Sequence, residues 1–283
     1  MKWKPLAFLF SLIILSATAF GEEISSFALI TIPKSGSHMM IKTLYFMTKS
    51  PAIWHTKFPS YQYIPLEEGF LYTHFCLSPE LEADYRDLPD LKKIILIRDL
   101  RDVAISMVQH MRKGVWPGLS HEERQKFLKL SFDEQLHFVI NYEYDVRAVR
   151  KKAPNSLQVS LCKVAEQAER YSQCSDVLTC RYEHLVGPKG GGTFEKQLIE
   201  LENIALFLNL HPSQLDLIKI ADKIYGDHED PFGQGDFVNY SSTFFKGKIG
   251  GWKQIFTEAH KEAFKKKLGK SLIALGYEVD NYW

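Results

Sequence analysis

The sequence predicts a single α/β domain: a central, mostly parallel sheet flanked by helices, with a P-loop-like phosphate-binding turn after the first strand. Two observations predict it. Strand-like and helix-like segments alternate from residue 27 onward, and parallel neighbours need crossover helices. The strand-like runs are also short and continuously apolar, which suits strands covered on both faces. With 283 residues, 45% apolar and 24% charged, the chain is long enough for one sizeable core, which excludes disordered, collagenous and coiled-coil classes.

Residues 27–32 (Phe-Ala-Leu-Ile-Thr-Ile) form the first strand, closed by Pro33 and followed by the helical pattern Met39, Met40, Thr43, Leu44, Met47. Residues 70–75 and 93–97 read as further strands. Residues 99–113 read as a helix with Asp99 or Asp102 at its start, where a carboxylate meets unpaired N–H groups. Residues 132–152 read as one long amphipathic helix closed by Pro154 and residues 177–182 as a strand. Residues 161–173, 194–208, 212–225 and 257–275 read as helices. The glycine-rich run at 187–192 reads as a flexible surface connection. The irregular stretch at 226–251 is too long for a mere link, and loops of that size tend to carry function.

Lys2 and Lys4 precede an uncharged apolar stretch, and Ala17, Thr18 and Ala19 then supply small residues, the pattern of a signal peptide. The expected division is a signal peptide over 1–21 and one domain over 22–283. The apolar stretch falls short of the roughly 20 residues of a membrane span, so no stable span is expected after cleavage. Localisation follows: export or the secretory pathway, or the cytoplasm if the leader does not function. Lys+Arg 35 against Asp+Glu 34 gives a formal +1, which argues against a nucleic-acid partner and makes any anion site local. Four cysteines are too few for a disulfide scaffold. Cys162 and Cys174 would lie about 18 Å apart on one helix, beyond disulfide reach. One bridge and four buried thiols remain as alternatives.

Three segments suit an anion. Pro33-Lys34-Ser35-Gly36-Ser37-His38 lies between the first strand and first helix, where Gly36 lets the backbone curl so that consecutive N–H groups face one centre. Lys34 adds a mobile charge, and Ser35 and Ser37 add hydroxyls. Arg98 ends a buried strand, placed for a bidentate phosphate contact, with Ser106 two turns into the next helix. Glycines and lysines interleave from Phe244 to Lys253. Three such segments suggest a ligand with more than one phosphate. The triphosphatase lysine spacing is absent, which disfavours a nucleotide kinase.

With these segments in place, nearly all of the chain after the leader resembles the sulfotransferases that use 3′-phosphoadenosine 5′-phosphosulfate (PAPS), more closely the cytosolic type than the Golgi polysaccharide type. The resemblance implies that Lys34 contacts the bridging oxygen and that Ser35, Gly36, Ser37 and His38 bind the 5′-phosphate. It implies that Arg98 and Ser106 bind the 3′-phosphate, that Tyr182 contacts the adenosine part, and that Lys246 and Gly247 belong to a loop closing over the 3′-phosphate. His74, in Thr73-His74, is similar to the catalytic base. Three positions depart from the pattern: Tyr72 stands for a lysine, Met39 for a tryptophan that stacks on adenine, and Phe245 for an arginine. The dimerisation motif survives in part, as Lys253, Thr257 and Glu262 with Glu258 in place of valine, which leaves a homodimer open.

The implied reaction is in-line sulfuryl transfer from PAPS to a small-molecule alcohol or phenol. No metal is expected, because cations and helix N–H groups neutralise the leaving phosphate. Tyr61, Tyr63, Phe75, Trp116 and Phe138 are candidate apolar walls for the acceptor. Trp252, with Phe244 and Phe245, is a candidate to pack on adenine in place of the missing tryptophan, the alternative being plain core. Arg101 and Asp102 read as surface or cap residues. The alternative from another class is a non-catalytic nucleotide-binding module on the same fold, motivated by Tyr72, Met39 and Phe245.

Overall fold

The computed structural model describes residues 26–54, 69–74, 91–113, 119–145, 158–225 and 247–283. Along the chain run β1 (Phe27–Thr31), α1 (Ser37–Thr48), β2 (Ala52–Trp54), β3 (Phe70–His74), β4 (Lys92–Ile97), α2 (Leu100–Arg112), α3 (His121–Lys129), α4 (Phe132–Asn141), β5 (Glu143–Asp145) and β6 (Gln158–Ser160). They are followed by α5 (Leu161–Ser172), β7 (Val177–Arg181), a short α6 (Tyr182–Leu185), a 3-10 turn (Pro188–Gly190), α7 (Phe194–Phe207), α8 (Gln214–Ile224), a short α9 (Trp252–Ile255) and α10 (Glu258–Ala274).

Five strands form a wholly parallel sheet in the order β2-β3-β1-β4-β7. Alternate residues of each strand face opposite sides. Leu29, Ile94 and Leu96 join α1, α7 and α8 in one core, while Ile30, Ile95 and Ile97 join α2, α4, α5 and α10 in the other. Both faces are therefore covered, the arrangement that the continuous apolar runs call for. The order places β1 between β3 and β4, so the chain leaves β1 on one side and later crosses to the other. Ligands of open α/β sheets sit at the carboxyl ends of strands flanking such a reversal.

Two sequence expectations need correction. The helix expected over 132–152 stops at Asn141, and β5 pairs antiparallel with β6. Tyr142 is already extended, at ψ 132°, and aromatic Tyr142 and Tyr144 at a spacing of two suit a strand better than a helix. The run at 187–192 is no loose connection. Pro188–Gly190 is a 3-10 turn, Gly190 is buried, and its carbonyl accepts the Ile249 N–H at 3.0 Å. A Cβ on Gly190 would meet the Gly247 carbonyl at 2.8 Å. The run is thus a ledge on which a later segment rests.

The leader, the wall candidates Tyr61, Tyr63, Phe75 and Trp116, and Cys76, Phe244, Phe245 and Lys246 lie outside the described residues. Cys162, Cys174 and Cys180 are free thiols, of which Cys180 alone is buried and Cys174 is exposed, so the picture of four buried thiols does not hold. Among the described residues no helix is long and apolar enough to cross a membrane.

Candidate active site

Four of the five strand ends at the carboxyl edge each contribute one part of the site. β1 runs into Lys34 and the turn, β3 ends on His74, β4 ends just before Arg98, and β7 leads into Tyr182. The parallel register sets Thr31 beside His74 and Ile97 beside Arg181, so these ends share one level.

The turn after β1 is built for an anion. Lys34 adopts φ 70° and Gly36 φ 97°, curling the backbone through the left-handed region. No side chain caps α1 and no acidic residue lies in its first turn. Helices α2, α3, α4, α5, α7, α8 and α10, by contrast, are each capped by an Asp, Ser or Thr side chain. An uncapped N-terminus leaves N–H groups and the positive end of the helix dipole for an external anion. Gly36 has a second reason to be glycine: a Cβ there would lie 2.3 Å from the Tyr182 ring.

Of the six buried side-chain polar atoms that lack a hydrogen-bond partner among the described residues, two belong here. They are the Ser35 hydroxyl and Arg98 Nε. Buried donors without partners cost about 1–3 kcal/mol each, so their coincidence at one edge marks a place where a ligand supplies acceptors. The rest of the Arg98 guanidinium donates to the Lys34 carbonyl at 3.1 Å and the Lys248 carbonyl at 2.9 Å, and its plane lies over Tyr182 at 4.3 Å. Ser106 is buried on α2. Ser37 is differently used than expected. Its hydroxyl is 2.7 Å from Thr31 Oγ1 and thus turned toward the sheet, which leaves its backbone N–H as its contribution to an anion.

Thr31 links the turn to His74. Thr31 Oγ1 lies 2.6 Å from His74 Nδ1, and Tyr72 Oη lies 3.1 Å from His74 Nε2. Burial, with the charges of His38, Lys34 and His110 adding to it, pushes the His74 pKa down to about 3. Burial, then Lys34 and Lys42, takes His38 down to about 4. Burial, then Lys113 and Arg98, takes Lys34 down to about 8. These shifts share one cause besides burial: the charges of neighbouring basic groups. An anionic ligand would relieve it. Among the described residues no group of His, Cys, Asp and Glu side chains is arranged to hold a metal ion.

The closing segment at 247–252 is held from four sides. Tyr182 donates its hydroxyl to the Gly247 carbonyl at 2.7 Å, Arg98 donates to Lys248, and Ile249 donates to Gly190. Asp102 accepts the N–H groups of Gly250 at 2.7 Å and Trp252 at 2.9 Å. Arg101 and Asp102 read from sequence as surface or cap residues; both are buried, so the surface alternative does not hold. Arg101 is neutralised by Asp99 and Glu278 and lies against the rings of Trp252 and Trp283 at 3.7 and 4.5 Å. Trp252 is therefore core rather than an adenine platform. Phe138, a wall candidate, stacks on Tyr142 at 4.5 Å and is likewise spent on packing. Asp102→Asn puts an N–H donor where two backbone donors converge. It is expected to weaken nucleotide binding at least about tenfold, as measured by calorimetry, because hydrogen bonds to charged groups contribute about 1.5–3 kcal/mol. Unchanged affinity would mean that the segment docks without this clasp.

Sequence reasoning missed His110, whose Nδ1 lies 3.4 Å from Lys34 Nζ. No motif marks it, since it reaches the turn only through the packing of α2 beside β1.

Several solved structures share this fold, among them two in complex with PAP. Mouse sulfotransferase SULT7A1 complexed with PAP superposes with a TM-score of 0.59 at 17% identity, covering 89% of this chain and 88% of that one. Retinol dehydratase in complex with androsterone and inactive cofactor PAP gives 0.55 at 16% identity, covering 87% of this chain and 80% of that one. No curated protein matches the sequence. The sequence does match the sulfotransferase domain over residues 25–276, a span that takes in every strand and every segment of the site just described, and the chain belongs to that family.

Proposed function

We propose that the protein transfers the sulfuryl group of PAPS to the hydroxyl of a small alcohol or phenol by in-line displacement. The observation that carries the reading is the coincidence at one sheet edge of an uncapped helix N-terminus, the unpartnered Ser35 hydroxyl and Arg98 Nε, and Lys34 amid further cations. PAPS supplies the activated sulfuryl group and a nucleotide leaving group. The turn at Lys34 to His38 is the 5′-phosphate cradle, Arg98 and Ser106 the 3′-phosphate pair, and Tyr182 the adenosine contact. Lys246 and Gly247 belong to the covering segment.

In the transfer, an acceptor O–S bond forms as the bond between sulfur and the bridging oxygen breaks. Lys34 meets the charge that builds on the bridging oxygen, an interaction stronger in the transition state than before it. His74 takes the acceptor proton. In the resting protein both its ring nitrogens are engaged by Thr31 and Tyr72, and a neutral imidazole has one lone pair to give. The acceptor hydroxyl therefore has to displace one of these contacts. The anionic donor, by offsetting the surrounding cations, raises His74 basicity, so donor binding prepares the base. The reading extends to a homodimer through the surviving part of the motif, Lys253, Thr257 and Glu262, with Glu258 in place of valine.

Calorimetric titration of residues 22–283 with adenosine 3′,5′-bisphosphate (PAP) tests the reading, with AMP and ATP as controls. Selective binding, weakened at least about 100-fold in Arg98→Ala, is expected. Affinity should also fall as pH rises through the range where Lys34 loses its proton, since bound anion raises that pKa and binding takes up a proton. Folded protein that does not distinguish PAP from AMP would reduce the reading to a statement about fold.

A further inference from the structure

Lys34 is crowded by cations from several elements. Arg98 faces it from the end of β4 and Lys113 from the end of α2, with Lys42 of α1 in the same field; His38 of α1 and His74 of β3, held down to about 4 and 3, are neutral neighbours at pH 7. His110, on α2, faces Lys34, Lys113 and His38. None of these groups is a carboxylate. An ammonium only donates, so the 3.4 Å contact between Lys34 Nζ and His110 Nδ1 requires a lone pair on Nδ1 and the ring proton on Nε2. Burial, reinforced by Lys34, Lys113 and His38, holds the His110 pKa down to about 3, which keeps that lone pair available at neutral pH.

We propose that His110 is a positioning residue for sulfuryl transfer: as its Nε2–H tautomer it accepts a hydrogen bond from Lys34 and fixes the ammonium between the phosphate turn and α2 before the donor arrives. A lysine head on a four-carbon stem has wide rotamer freedom, and surrounding cations push it toward solvent. A neutral acceptor counters both without adding the negative charge that a carboxylate would set against an anionic donor. The proposal rests on the reading that Lys34 meets the bridging oxygen.

The test uses the full chain and two variants, His110→Leu, which removes the acceptor, and His110→Asn, whose side-chain oxygen can replace Nδ1. In the ligand-free protein, the Lys34 signal is followed by NMR of ¹³C-labelled lysine and assigned with Lys34→Arg. Its titration midpoint should move to lower pH in the Leu variant, because a hydrogen bond favouring the charged form is lost, and return toward wild type in the Asn variant. PAP release from PAPS, with water as acceptor so that no acceptor need be known, should fall about tenfold in kcat for Leu with KM little changed. The Asn variant should recover to within about threefold. A Lys34 midpoint indifferent to Leu, or an Asn variant as impaired as Leu in both measurements, would overturn the proposal. Failure of wild-type protein to bind PAP would instead remove the parent reading, and the positioning role with it, while the titration still reports the contact itself.

Discussion

Lys34→Met is expected to slow PAP release from PAPS by about 10²–10³-fold while PAP binds within about tenfold of wild type. The asymmetry follows from where charge appears. PAP already carries its phosphate charge in the ground state, and the α1 N-terminus and Arg98 are arranged for that. The bridging oxygen becomes anionic only as the S–O bond breaks, so a cation aimed at it acts on the barrier. A loss of that size corresponds to about 2.7–4 kcal/mol, within the range for a single preorganised donor at a developing oxyanion. Single-turnover measurement beside PAP calorimetry separates the two effects. Equal losses in binding and turnover would assign Lys34 to ground-state phosphate binding alone.

Acid should destabilise the protein steeply, and PAP should blunt the effect. His38, His74 and His110 have pKa values pushed down to about 4, 3 and 3, each chiefly by burial and then by neighbouring cations. A histidine with a depressed native pKa contributes fully above its unfolded value near 6.5, and that stability is lost as pH falls toward the native value, because the unfolded chain binds the proton first. Each such group contributes a slope of up to about 1.4 kcal/mol per pH unit, reduced where water reaches the ring. Urea denaturation at pH 7, 6 and 5 is expected to show a falling midpoint over that window, with a smaller fall when PAP is bound and in His74→Gln. A midpoint flat from pH 7 to 5 would mean that these imidazoles protonate in place.

The sheet was legible because burial on both faces leaves a plain mark: β1 and β4 are runs of apolar residues bounded by Pro33 and by Arg98-Asp99. The turn at Lys34 to Ser37 was legible because curling around an anion demands glycine and small polar residues. Other features were hidden for physical reasons. Helix α3 buries only Phe127, so its apolar stripe is nearly absent, although the Ser120–Glu123 capping box marks its start. Arg101 and Asp102 look like surface charges locally, and their burial depends on Glu278, Trp283, Gly250 and Trp252, which lie about 150 residues or more away in sequence. The glycines at 187–192 advertise freedom, whereas Gly190 is needed for close approach to Gly247. His110 and the inward-turned Ser37 hydroxyl follow from side-chain packing that no spacing rule encodes.

Tyr182 joins three distant stretches: its ring fills the space beside Gly36, Arg98 lies on its face, and its hydroxyl reaches Gly247. On the ribosome, β1 through β7 emerge well before Gly247. A nascent chain can thus complete its sheet while Tyr182 still lacks the carbonyl it donates to and Arg98 lacks the Lys248 carbonyl. Recognition of the nucleotide is then acquired late in synthesis, after the strands have emerged and together with the helix that covers one sheet face. Polypeptides arrested between α8 and Gly247 would hold every strand of the sheet yet lack both the clasp on the nucleotide and α10, which covers one sheet face.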